Sequence, residues 1–187
     1  MMNSKTPYLR RSLATAVLAA AMLLGWFAPQ ARAQYSESEI KAAFILNFAQ
    51  FSKWPAKAFA DADGQFTIAI FGDDSLGGAL EKTCRGQSVG GRKVVVKRTR
   101  RLDDLKNCQI VFVSRSDSGR LEEILANIQG ANVLTVGESD RFARQGGAFG
   151  FVMDKDKIRF EVNPGAARRA GVEVSSRLLK LGIIVGS

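Results

Sequence analysis

Four short apolar runs, spaced by segments of helical periodicity, leave this chain very few architectures to adopt. Residues 66–71 read FTIAIF, 92–98 RKVVVKR, 109–113 QIVFV and 132–136 NVLTV. Such β-branched and aromatic runs read as strands, and near-continuous apolarity implies burial on both faces. Between them, Leu76, Ala79, Leu80 and Thr83 share one helix face, with Gly86 just past its end. Leu121, Ile124, Leu125 and Ile128 share another, stopped by Gly130. Alternating strands and helices predict an α/β protein: a single three-layer Rossmann-like domain whose mostly parallel sheet is joined by right-handed crossovers. A short helix is expected at 139–145, ending at Gly146-Gly147. Strands at 149–153 and 158–162, joined through Asp154-Lys155-Asp156-Lys157, predict a C-terminal antiparallel hairpin at the sheet edge.

The N-terminus follows another logic. Lys5, Arg10 and Arg11 precede an almost wholly apolar stretch at 13–28. Pro29 then breaks it, and Ala31-Arg32-Ala33 offers a small-x-small cleavage site. That is the pattern of a secretory signal, and the apolar core is shorter than the roughly 20 residues that span a bilayer. Residues 1–33 are therefore expected to be a cleaved signal peptide and 34–187 one exported domain. Four of the 27 cations and none of the 18 acids lie in the leader, so the rest carries a net charge of +5 rather than +9. Export makes nucleic acid a poor partner despite the basic balance. The remaining charge suits an acidic protein surface or anionic headgroups.

After the leader, Ser36 and Glu39 form a capping-box pattern ahead of a helix carrying Ile40, Phe44, Phe48 and Phe51, with Ala43 and Asn47 on the same side. Trp54-Pro55 should end it. Near the C-terminus, Asn163 caps a helix with Pro164 at its first position and Gly171 at its stop. Ser175 or Ser176 caps a last helix with Leu178, Leu179 and Leu181.

Little in the sequence points to catalysis. The chain has no histidine, which removes Ser-His-Asp and Cys-His chemistry. Two cysteines without histidine make no zinc site, and neither a metal nor a cofactor is expected. Gly72-Asp73-Asp74 opens a helix after a strand, where phosphates bind in nucleotide folds, but the spacing fits no phosphate-binding motif and the acids would repel an anion. It reads as an ordinary turn. Lys97-Arg98-Thr99-Arg100-Arg101 reads as a solvated strand end or a docking patch. Cys84 and Cys108 are expected to pair: the helix after the first strand returns to the strand's N-terminal pole, where Cys108 also begins its own strand. On the hairpin, alternation puts Arg159, Glu161 and Asn163 on one face, a polar row open to solvent or to a partner.

Eight segments together resemble one family. They are 40–55 (IKAAFILNFAQFSKWP), 72–77 (GDDSLG), Gly91-Arg92, 108–113 (CQIVFV), 134–136 (LTV) followed by Phe142, Gly146-Gly147, 159–163 (RFEVN) and 175–181 (SSRLLKL). In this order they are similar to the YfiR-like periplasmic proteins across nearly the whole exported chain. The resemblance implies a periplasmic repressor that binds the periplasmic sensor domain of an inner-membrane diguanylate cyclase, lowering cyclic di-GMP and biofilm formation. It also implies release through an outer-membrane lipoprotein. Family disulfide chemistry near the hairpin is missing here, where Phe149, Phe151 and Val152 stand. The docking surface expected from these readings is Arg159, Glu161, Asn163 and Arg177, and self-association into a homodimer is kept open. The competing expectation is a periplasmic small-ligand sensor with a pocket beside Trp54 and Phe160.

Overall fold

In the computed structural model of the protein, residues 35–60, 64–72 and 76–186 are described. The leader at 1–33 and the acids Asp73 and Asp74 lie outside them. The described residues belong to one compact unit, Tyr35–Ser187.

Helix α1 (Glu37–Gln50) starts where the capping box places it: Ser36 accepts from the Glu39 backbone, and the Glu39 carboxylate takes the Ser36 N–H at 3.1 Å. The helix stops at Gln50, short of Trp54, because strand β1 (Ser52–Lys53) turns away to pair antiparallel with β9 (Glu173–Val174). Its buried side also differs from the expected stripe. Ala42, Ile45, Phe48 and Ala49 are inside, while Ala43 and Asn47 face out. Polar and apolar residues are spread around the helix without one clear polar face, so periodicity could not select the buried side; the sheet does.

Among the described residues the main sheet has eight strands, in the order β10 (Ile183–Ile184), β8 (Lys157–Val162), β7 (Phe149–Asp154), β6 (Leu134–Gly137), β5 (Ile110–Val113), β2 (Phe66–Phe71), β4 (Arg92–Thr99) and β3 (Ser88–Val89). Strand β2 (Phe66–Phe71) lies between parallel neighbours β4 (Arg92–Thr99) and β5 (Ile110–Val113), and every residue of it is buried. Strand β6 (Leu134–Gly137) follows, also parallel. The hairpin of β7 (Phe149–Asp154) and β8 (Lys157–Val162) then reverses direction, closed by Lys155 and Asp156 at φ 49° and 59°. Two successive left-handed residues make the tight turn whose twist matches its strands. Short β3 (Ser88–Val89) pairs antiparallel with β4. Strand β10 (Ile183–Ile184) runs parallel beside β8. The hairpin is therefore not the sheet edge: the chain terminus covers it.

Alternation divides the core. Phe66, Ile68 and Ile70 of β2 join one apolar cluster with α1 and with α2 (Gly77–Cys84). Ala69 and Phe71 join a second, covered by α3 (Leu121–Asn127) and Leu105. The expected helix at 139–145 is a run of turns instead. Arg141 sits at φ 62°, which breaks the helix, and Phe142 is driven inward against Gly137 and Gly147, where a Cβ would collide with its ring. The tail follows expectation. Asn163 caps α4 (Pro164–Arg169) by accepting from Ala166 at 2.9 Å, and Gly171 leaves it at φ 68°. Ser175 caps α5 (Ser176–Leu181).

Cys84 and Cys108 are both free and buried. The pole argument considered position along the strands and ignored the faces. Cys84 packs in the α1 cluster and Cys108 in the α3 cluster, so the sheet stands between them. The Cys108 Sγ donates instead to the Asp104 carbonyl at 3.3 Å.

Candidate functional site

Parallel strands all point their carboxyl ends to one pole, and loops there converge. Strand β6 ends at Gly137 and hands over to Glu138, Ser139 and Asp140; β5 ends beside Ser114 and Arg115. Because β7 pairs with β6 only through Phe149 and Gly150, its later residues project past that end. The first turns of α1 close the other side. Together these elements border an open cleft of about 410 Å³ lined by charged groups and by Phe151, Val152, Met153 and Ile158.

Lys41 organises the charged wall. Its side chain is 11 % exposed and its ammonium donates to Glu138 at 2.6 Å while also pairing with Glu37 one turn earlier. Burial works against that charge, but the hydrogen bonds to Glu138 and Glu37, with their charges, outweigh it and raise the Lys41 pKa. The ammonium also lies 5.9 Å from the Phe151 ring centre. Arg115 donates to the Glu138 carbonyl at 2.8 Å, tying the β5 loop to the β6 loop. Under the floor, Glu161 accepts both Arg144 Nε at 2.9 Å and Nη2 at 2.8 Å on its Oε1. Its Oε2 is buried without a hydrogen-bond partner among the described residues. Paired in this way, Lys41, Arg115 and Arg144 lock the loops into one geometry.

The expected docking row does not form one surface. Arg159 is exposed and lies 3.8 Å from Asp154. Glu161 is 7 % exposed and Asn163 6 % exposed. β10 lies along β8 at Glu161 and Val162, and Arg144 seals Glu161, which is why the alternation did not carry these side chains to solvent. Asn163 is fully used, capping α4 with its oxygen and donating to the Ala143 carbonyl at 2.9 Å. Arg177 is exposed, stacked 5.3 Å over Phe51. Nor do Trp54 and Phe160 make a pocket. Phe160 is 2 % exposed and packed 4.9 Å from Phe48, whereas Trp54 meets Phe66 edge-on at 4.9 Å. The basic run is used locally, with Arg98 paired to Glu81 and Arg101 near Asp104.

Sequence reasoning missed Lys41, Glu138 and Arg115. Only a lysine inside an apolar helix stripe hinted at a buried charge, and its partner lies far along the chain.

Burial pushes both thiols up to about 11, which leaves them poor nucleophiles. Among the described residues no group of three or more His, Cys, Asp or Glu side chains is arranged to hold a metal ion. Among the same residues no helix is long and apolar enough to cross a membrane.

A family model described as YfiR/HmsC-like matches residues 38–183. No curated protein matches the chain. Among solved structures, a conserved domain protein from Vibrio cholerae O1 biovar El Tor aligns with a TM-score of 0.55 at 12% identity, covering 81% of this chain and 60% of that one. The chain thus spans 60% of that protein's length, and the likeness is one of α/β fold. The ABC domain from Streptococcus pneumoniae, a structure in complex with L-Trp, aligns with a TM-score of 0.46 at 10% identity, covering 65% of this chain and 55% of that one.

Proposed function

The chain belongs to the YfiR/HmsC-like family, and from that premise we propose that it is a periplasmic regulatory protein which binds the periplasmic sensor domain of an inner-membrane signalling enzyme, a diguanylate cyclase, and represses it. Repression lowers cyclic di-GMP and biofilm formation. The observation that carries this reading is the extent of the family match, residues 38–183, from the start of α1 to the first residue of β10. An outer-membrane lipoprotein that sequesters the repressor is the matching release partner. The protein acts by binding and not by catalysis, as an exported domain 34–187 freed from a leader at 1–33. The fold reading that goes with it is a Rossmann-like three-layer domain, supported by apolar clusters on alternate sides of β2.

The docking surface is the C-terminal sheet edge. Parallel pairing sets Ile183 opposite Glu161, next to Arg159 on β8, with Leu181 two residues before it at the end of α5. Leu181 and Ile184 are each 60 % exposed. These exposed apolar side chains, with the exposed Arg159 and Arg177 on the neighbouring β8 and α5, suit a partner surface with carboxylates around an apolar centre. Glu161 and Asn163 hold this edge from behind.

Deletion tests repression: cellular cyclic di-GMP should rise when the cyclase is expressed, and an unchanged level refutes it. Charge reversal at Arg159 and Arg177 tests the surface. Pull-down from solubilised membranes should lose the cyclase while thermal unfolding stays unchanged; retained capture would remove this edge. Intact mass tests export, with the mature chain starting at Gln34.

A second reading, a small-ligand sensor, is favoured by one observation, the polar cleft lined by Glu37, Lys41, Glu138 and Asp140.

A further inference from the structure

The two edges of the main sheet end differently. At one, β10 lies along β8. At the other, β3 pairs with β4 only at Lys93 and Arg92, with one further hydrogen bond from Val94 to the Gln87 carbonyl at 3.0 Å. Past Val94, no strand among the described residues flanks β4 on that side. The direction of its main chain follows from two bonds. Gly72, just after β2, donates to the Thr99 carbonyl, whereas Val94 donates outward to Gln87. Successive residues of a strand turn their N–H and C=O groups to opposite sides. Val95, Lys97 and Thr99 therefore bond towards β2, and Val96 and Arg98 aim their main-chain groups outward. A row of this kind is a template for another strand.

Charge decides which strand. Six of the ten residues 92–101 are cationic and none is acidic. Arg98 is paired with Glu81 at 2.5 Å and Arg101 lies 3.9 Å from Asp104, but Lys93 and Lys97 are exposed and in no ion pair among the described residues. Pairing sets Lys97 beside Ala69, and alternation puts Lys93 and Val95 on the same face. A second copy of this chain is a poor occupant. Two such edges would set their cations against each other, and like charges across a ladder destabilise it. An acidic strand gains from the same charges. We propose that the open edge of β4, residues 95–99, binds an extended acidic segment of another protein by strand addition. Its main chain pairs with Val96 and Arg98, and its carboxylates lie beside Lys97. The site is on the edge opposite the C-terminal docking edge and does not depend on the repressor reading.

Magnetic-resonance titration of the isotope-labelled protein tests backbone and charge separately. The probe is a capped seven-residue peptide alternating glutamate and valine. One control replaces every glutamate with lysine; the other methylates every backbone nitrogen. The acidic peptide should saturate, shift the Val96 and Arg98 amides and slow their hydrogen exchange. Each control should bind about tenfold more weakly or worse. Lys97→Glu, at an exposed side chain, should weaken the acidic peptide by about tenfold while leaving thermal unfolding unchanged, and Lys97→Gln should weaken it by about threefold. No saturable binding at millimolar peptide, either control binding as tightly as the acidic peptide, shifts confined to other strands, or full binding by folded Lys97→Glu or Lys97→Gln variants would each overturn the proposal.

Discussion

The two faces of the sheet are built from the same strands yet to different designs. On the α1 face, Phe48 stacks on Phe149 with ring centres 4.0 Å apart and meets Phe160 at 4.9 Å, and Phe44 adds an edge contact to Phe160 at 5.4 Å. On the α3 face the side chains are mostly aliphatic, Val111, Val113, Leu121 and Ile124, with Phe71 and Phe142 as the buried rings. The covers differ as well: a 14-residue helix with a capping box against a seven-residue helix without a side-chain cap, preceded by a 3-10 segment. Large, interlocked rings under a long helix leave few ways to rearrange. Small branched side chains under short segments rearrange more easily. Stability should therefore be concentrated on the α1 face and local opening on the α3 face.

The strongest way to break this contrast is Phe48→Ala. Loss of a wholly buried ring from the stack should destabilise the protein by roughly 3–5 kcal/mol, read as a lower urea midpoint. Ile124→Ala, equally buried on the other face, should fall short of that at roughly 2–3 kcal/mol because its surroundings can close up. Equal losses would dissolve the comparison.

The two thiols report on the faces separately. Native alkylation at pH 8 should be slow at both, since burial holds each near 11, and two thiols should react once the chain is unfolded. In urea below the transition, Cys108 should label about tenfold faster than Cys84, because the α3 face opens first. Their raised pKa values have a sign: below pH 9 both states keep their protons, and between about 9 and 11 the unfolded thiols lose theirs while the folded ones do not. Stability therefore falls with pH through that window, and replacing both cysteines with alanine should flatten the fall. Ser36→Ala has the smallest expected effect. Removing the cap of α1 should lower stability by about 1 kcal/mol without altering the order in which the thiols label.

Much of this architecture was legible because local chemistry decided it. Strand β2 has apolar side chains for both faces, Ser36, Asn163 and Ser175 are caps with their donors at fixed offsets, and Asp154–Lys157 can hardly be anything but a turn. What was not legible depends on distant partners. Ile183 and Ile184 become a strand because β8 offers an edge, and that addition buries Glu161 and turns an expected surface row into support. The polar cavity needs Lys41, Arg115, Glu138 and Glu161 together, and no spacing rule connects residues so far apart. The expected cysteine pair failed for a similar reason: order along the chain locates a pole, whereas only packing assigns a face.

The pairing of β1 with β9, Ser52 opposite Val174, has a consequence for the order of folding. Helix α1 is the first described element the ribosome makes, and its local signals allow it to form early. Yet Phe48 has no ring to stack on until Phe149 and Phe160 exist, Lys41 has no Glu138, and the strand after the helix has no mate until the tail arrives. Contacts of such long sequence separation slow folding, since the loop must close before they reward it. The N-terminal helix is thus the earliest piece to appear and among the last to be completed. A chain interrupted before its tail exposes that aromatic face to whatever is nearby.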